Sequence, residues 1–416
     1  MTTPHVTRAA YVTILCATLA CSASASPPDF SWLPPAPKLP PPAGAVLRVA
    51  TVDEFFRAAD AIQSGGTILL ADGHYMMPRY FELRTDGVTL RSASGDRNRV
   101  ILDGATSRHG ELVGVRACSD ITIADLTIQN IRHNGFKLNT DSGVHRVTIH
   151  NCVIHNIWQR GVKGVRVPKD QPGIRPPEQC RVQHCLFHND RPKRFSDDPS
   201  DTAQTFGGNY LGGIDVMFAN GWTICDNVFH GLRGRTGEAR GAIFLWHESQ
   251  GCIVERNVIV DCDTGICLGN SHRGPETKVH AIDCIVRNNF VTRCPENGIL
   301  ADYTKRCQIV HNTIHDPHSR LRRLIRVVHD NLGLEVRNNL LSGPAMRIET
   351  EDELVIDGNL TRDAGDWFVD VSSGDLHLAG PPDAIAAAAK RHPRVTHDFD
   401  GQPRPSTTTI GADQSP

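Results

Sequence analysis

The feature that most restricts this chain is a motif that returns at unequal spacing but with fixed internal columns. Aligned on one position, it recurs at Leu126, Cys152, Cys185, Asn227, Asn257, Asn289, Asn312, Asn339 and Asn359, at spacings of 20 to 42 residues. Five residues before that position stand Ile121, Val147, Cys180, Trp222, Cys252, Cys284, Cys307, Leu334 and Leu354, all apolar. Two residues after it every copy is apolar except the last, which has Thr361. One copy has an apolar face that it cannot bury alone, so like side chains must stack on like from copy to copy, as in a solenoid. The successive asparagines form a ladder whose amides can bond to one another at a bend. Within a copy the apolar runs are short and β-like: Ala242–Leu245, Cys252–Val254 and Val258–Val260, each bounded by Gly, Asn or a charged pair. The chain reads as an all-β solenoid, and since such a fold grows in one dimension, 416 residues need only one domain.

The ends read differently. Arg8, the apolar run Ala9–Cys21 and Ala23-Ser24-Ala25 make a signal peptide over residues 1–25, with cleavage after Ala25 and a secreted or periplasmic product. Anchoring as a lipoprotein at Cys21 fits less well, because Thr18 stands where Leu is usual. No stretch of about 18 apolar residues follows, so no membrane span is expected. Residues 26–44 form a Pro-rich extended linker. The solenoid occupies 45–362, opened by a capping helix in which Thr51 and Glu54 form a capping box ahead of Phe55, Phe56, Ala59 and Ile62. Residues 363–416 are expected to cap the last coil. Net charge is −2, from 44 basic and 46 acidic residues, which gives a nucleic-acid partner no support. A monomer is expected. Of thirteen cysteines, eleven remain after loss of Cys16 and Cys21. Cys180, Cys252, Cys284 and Cys307 share an interior column and act as small hydrophobes. Rungs about 4.8 Å apart leave rung-to-rung disulfides open.

The third run of each coil offers a face for a site. Strand alternation after its Gly-apolar pairs points one column outward: Lys137, Lys163, Asp215, Phe244, Cys267, Leu300, Arg326 and Arg347. The long insertions, 166–179, 190–212, 231–240, 272–281 and 316–323, flank this run, so their loops wall a groove. Lys137, Arg160, Lys163, Arg166, Lys169, Lys193 and Arg194 make the groove basic, and Trp158, Tyr210, Trp246 and Tyr303 offer rings. Cations and flat rings suit an acidic polysaccharide, the partner expected here. The plain alternative is a solvated sheet face with a Lys163–Asp215 ion pair. Removal of the proton beside a uronate carboxylate needs a base, for which Lys163 and His247 are candidates, and a neutralising cation, for which Arg166 and Arg326 are. Asp215 with Glu248 offers hard oxygen ligands for Ca²⁺. Hydrolysis would need a carboxylate pair, which the groove lacks.

The opening VATVDEFFRAADAIQSGGTILLADGHY resembles the entry segment of right-handed parallel β-helix proteins of the pectin-lyase-like superfold, above all polysaccharide lyase family 6, the alginate lyases and chondroitinase B. The resemblance implies a right-handed parallel β-helix with an N-terminal capping helix, and a uronate lyase as the first activity to test. Family 6 lyases carry a catalytic Lys-Ser and, one strand later, Arg-His-Gly. The matching positions here are His247-Glu248-Ser249 and Leu268-Gly269-Asn270, so neither family catalytic residue is present. Asp316-Pro317-His318 resembles a motif of mannuronan C5-epimerases, with Ser319 in place of its final Asp. Epimerase action therefore ranks below lyase action. The rival to both is a non-catalytic polysaccharide-binding or cell-surface structural protein. Lastly, His155, His188 and His230 occupy one column, three residues after the anchor on consecutive coils. Stacked imidazoles can hold a transition metal, but with no carboxylate in the column a surface stack is favoured.

Overall fold

The computed structural model describes residues 29–167, 175–274, 277–380 and 383–414. The expected signal peptide and Lys169 lie outside the described residues. Three parallel sheets of twelve, eleven and twelve strands run through the chain. Each coil gives one short strand to each sheet: Ile253–Glu255 to the first, Val258–Val260 to the second and Thr264–Leu268 to the third. The molecule is a parallel β-helix with one continuous core, from Val49 to Leu341. Among the described residues no helix is long and apolar enough to cross a membrane.

The bend from first to second sheet is set by one left-handed residue just before the anchor. Asp226, Arg256, Asn288, His311 and Asn338 have φ between 50° and 57° there. The anchor side chain then turns inward, and Asn227, Asn257, Asn289, Asn312 and Asn339 each donate an amide proton to the Oδ1 of the next, at 2.8–3.0 Å. The same oxygens accept the backbone N–H of the preceding anchor. Buried polar groups are tolerable only when paired, and the ladder pairs them at every turn. Below Asn227 it continues into thiols, with Cys152 N–H donating to Cys185 Sγ at 3.4 Å. All eleven described cysteines are buried and free. Burial pushes the Cys180 thiol up to about 12, so it is a packing group at neutral pH.

Helix α1 (Val52–Ala61) has the expected capping box and buries Phe55 and Ala58. Phe55 stacks on Phe81 at 3.9 Å, closing the open end of the core. The other end differs from expectation. The described part of the tail runs back along the outside of the second sheet, where Trp367, Phe368, Leu376, Phe399, Ile410 and Ala412 cover Val228, Val258, Phe290 and Leu340. The last coil keeps Ile348, Val355 and Ile356 exposed, so the tail flanks the solenoid and does not cap it. The second sheet carries apolar residues on both faces, and this outer face needs its own cover. The Pro-rich segment is likewise docked: Phe30, Trp32 and Leu33 join the same cluster. Further on, Pro37 O lies 2.9 Å from His150 Nε2.

Candidate functional site

The third-sheet register pairs Lys137 with Lys163, Lys163 with Asp215, Asp215 with Phe244, Phe244 with Cys267, Cys267 with Leu300, Leu300 with Arg326 and Arg326 with Arg347. Phe244, Cys267, Leu300 and Val328 pack together as a cluster separate from the main core, which places this column on the outer face. Above it lies a cleft of about 520 Å³, walled by Phe206 and Asn209 of one insertion, Glu238–Gly241 of a second and Asn270–His272 of a third.

Asp215 organises the rung next to Phe244, beside the cleft. Its Oδ2 accepts from Arg160 Nε at 2.5 Å, and its Oδ1 from Lys163 Nζ and Trp246 Nε1, both at 2.9 Å. Burial alone would raise the Asp215 pKa, but Lys163 and Arg160 outweigh it and hold the carboxyl well below the usual range. Arg160 is itself 1% exposed, with its guanidinium 3.9 Å from the Tyr210 ring, so it positions Asp215 and cannot meet a ligand. With both oxygens committed to cations, Asp215 does not fit the expected Ca²⁺ site with Glu248. Among the described residues, the gatherings of three or more metal-binding side chains are His155–His188–Asp190 and His377–Asp400–Asp413, and neither contains Asp215 or Glu248.

Trp246 leads into His247, whose ring lies 4.1 Å away. His247 and Glu248 both have positive φ, 48° and 64°, a strained pair that bends the chain where the strand ends. His247 Nδ1 lies 2.8 Å from Thr277 Oγ1, and its backbone N–H donates to His280 Nδ1 at 3.2 Å. Burial, reinforced by the charges of Arg166 and His272, pushes His247 down to about 4, so it is a neutral imidazole at pH 7. Lys163 Nζ stands 6.0 Å from the Trp246 ring. Lys163, Arg166, Asp215, Trp246 and His247 are thus brought together. From His247 a row of rings continues along the helix axis through His280 and Tyr303 to His329, at centroid spacings of 5.3, 5.9 and 4.7 Å.

Other expected residues stand apart. Lys137 is tied to Glu111 at 2.6 Å, and Arg326 to Glu349 at 2.6 Å. Arg326 lines the far part of the cleft, three rungs beyond Phe244 and about 14 Å from it at ordinary strand spacing. Trp158 is buried under the Arg191 guanidinium, 4.5 Å away. Lys193 is buried within its own loop between Asp198 and Asp201, so it adds no charge to the groove. Asp316 accepts the N–H of Ser319 at 3.1 Å, closing a turn. Thr277 and His280 were not foreseen, since they sit in an insertion outside every column. Nor was the pairing of Asp302 with His329, in which a fully buried carboxyl group shares a hydrogen bond with the ring Nδ1 at 2.8 Å.

A sequence model of the right-handed β-helix region matches residues 111–341. The sequence matches no curated protein. Among solved structures, pectate lyase Pel9A aligns at 11% identity and TM-score 0.48 over 89% of this chain and 97% of that one. An alginate lyase from Paenibacillus sp. str. FPU-7 aligns at 10% identity and TM-score 0.43 over 77% of this chain and 100% of that one. The polysaccharide lyase family 6 alginate lyase AlyGC aligns at 15% identity and TM-score 0.37 over 76% of this chain and 51% of that one. These likenesses concern the winding of the chain and say nothing of its chemistry. With the family match spanning more than half of the sequence and three parallel sheets wound as coils, the chain belongs to the right-handed β-helix family.

Proposed function

We propose that this is an exported carbohydrate-active protein that lays an acidic polysaccharide along the outer face of the third sheet and cleaves it by β-elimination beside a uronate carboxylate. The observation that carries the reading is the neutral His247 held by Thr277 next to Trp246, with Lys163 and Arg166 close enough for their charges to act on it. Trp246 gives a pyranose face a ring to stack on. Arg166, assisted by Lys163, meets the carboxylate and stabilises the charge that develops on it. His247 takes the C5 proton, the electron pair forms the C4–C5 double bond, the C4–O bond breaks, and water protonates the leaving oxygen. Asp215 stays ionised and positions Lys163 and Trp246.

A second placement of the base has its own support, since His329 is oriented by the buried Asp302. Assay of alginate, pectate, chondroitin and heparan for unsaturated product, with wild type, His247→Ala and His329→Ala, separates the two. The reading expects product from at least one polymer and its loss in His247→Ala alone. Loss in His329→Ala alone moves the base. Binding without product from any polymer favours the non-catalytic alternative, and altered uronate composition without unsaturated ends favours epimerisation.

A further inference from the structure

The outer face of the second sheet, away from the groove, carries imidazoles in register, His155 beside His188 and His188 beside His230. The column itself contains no carboxylate, but the fold supplies one. Asp190, where the long loop 190–212 leaves the sheet, places Oδ1 2.8 Å from His155 Nε2. Asn156 holds Asp190 at side chain and backbone: its Nδ2 donates to Asp190 Oδ2 at 2.8 Å, and its Oδ1 accepts the Asp190 backbone N–H at 3.1 Å. The His155 and His188 rings stack at 4.0 Å with planes 15° apart. One donor atom from each of His155, His188 and Asp190 lies within 4.8 Å of the other two.

His188 is 5% exposed, and its ring makes no hydrogen bond to another described residue. Its nitrogens are not sealed off from solvent, so an ion can reach the ring. We propose that His155, His188 and Asp190 form a binding site for a divalent transition metal of the Zn²⁺ class, with Asn156 as the residue that orients the carboxylate. Two imidazoles and one carboxylate suit zinc, nickel or copper and do not suit calcium, which prefers oxygen. Metal–nitrogen bonds of about 2.0–2.1 Å require the donors to close up by on the order of 1 Å. The side chains of His155 and Asp190 are 19% and 28% exposed and have room to turn inward. His230, one rung on, has a buried Nδ1 with no partner and stands next in line as a further ligand.

The second gathering, His377 with Asp400 and Asp413, is of another kind. His377 lies between Asp375 Oδ1, at 2.6 Å, and Asp400 Oδ2, at 3.2 Å, so both ring nitrogens are committed to carboxylates. The first site instead sits at the root of a loop whose Phe206 and Asn209 wall the groove. A metal there would pin the start of that wall to two coils.

The test is titration calorimetry of the chelator-treated full chain with Zn²⁺, Ni²⁺ and Ca²⁺, paired with thermal unfolding with and without metal. One equivalent of Zn²⁺ or Ni²⁺ should bind and raise Tm, while Ca²⁺ should not. Asn156→Ala should weaken binding by about tenfold, the scale of losing a group that orients a ligand. His188→Ala should abolish binding. Asp190→Asn, which keeps hydrogen-bonding capacity and so tests the site even where His188→Ala does not fold, should also abolish it. No one-equivalent binding by wild type, or unchanged affinity in His188→Ala or Asp190→Asn, overturns the proposal.

Discussion

Asp215 has more influence on the groove than any other single residue, because Arg160, Lys163 and Trp246 all take their positions from it. Replacing it by Asn leaves two cations without a counter-charge in a site that is nearly dry. Asp215→Asn should therefore lower unfolding stability by about 3–5 kcal/mol, the scale of breaking a buried ion pair from one side, as read by urea denaturation. His247 carries the pH prediction. Its lowered pKa of about 4 means that the neutral, proton-accepting form grows as pH rises through 4 and is complete well before neutrality. The rate of elimination should rise through that range and stay level to pH 7; a fall across the same range would assign the step to a protonated group. At this scale the sequence was legible in part. Lys163, Asp215 and Trp246 follow from strand alternation, since a column reports which face a side chain occupies. The column also offers the Lys163–Asp215 pair, which forms at 2.9 Å, but Arg160 lies outside the column, so the sequence leaves Arg160 as a ligand-facing cation and Asp215 as a calcium ligand, although each neutralises the other.

Among the elements, the asparagine ladder has the most direct energetic consequence. Asn289→Ala removes the Oδ1 that accepts both the Asn257 amide and the Asn257 backbone N–H, at 2.9 and 3.0 Å. The Asn257 amide keeps Ile224 O and Glu255 O as acceptors, but the buried Asn257 backbone N–H is left unpaired, which should cost about 1–3 kcal/mol in a denaturant titration. Asn359→Ala, at the half-exposed last rung, should cost clearly less, because water can replace the lost oxygen there. Equal losses at the two positions would show that the ladder is not what holds the coils in register. The coils were readable because each side chain repeats its neighbour's environment. The hairpin of Phe368–Asp370 and Asp375–Leu378 repeats nothing, pairs antiparallel and reaches back over earlier coils, so its place beside the second sheet was hidden. The bend at His247 and Glu248 was hidden for the same reason.

Across the whole molecule, titration sets limits to stability on both sides of neutrality. Burial, with His155 beside one and Arg404 beside the other, pushes both His188 and His311 down to about 3. Their folded pKa values lie below the unfolded 6.5, so the unfolded chain takes up protons first and stability falls as pH drops from 6.5. At pH 4 the loss is up to about 3 kcal/mol for each. His377 works in the other direction. Burial alone would lower it, but Asp375 and Asp400 outweigh that and lift it to about 10. Its contribution is complete below pH 6.5 and disappears as pH rises toward 10. Because His377 also packs edge-on against Trp32 at 5.5 Å, it ties the N-terminal segment to the tail. Thermal unfolding as a function of pH should therefore show a maximum near neutrality, and His377→Asn should flatten the alkaline side while leaving the acid side unchanged. The claim on which the account turns is that the third sheet is the face that takes the polymer. Hydrogen–deuterium exchange with and without a saturating uronate oligosaccharide reads that most directly. The account predicts slowed exchange at residues 160–166, 206–217, 243–249 and 270–280, with the second sheet unchanged; protection confined to the second sheet and tail, or none anywhere at saturation, would contradict it.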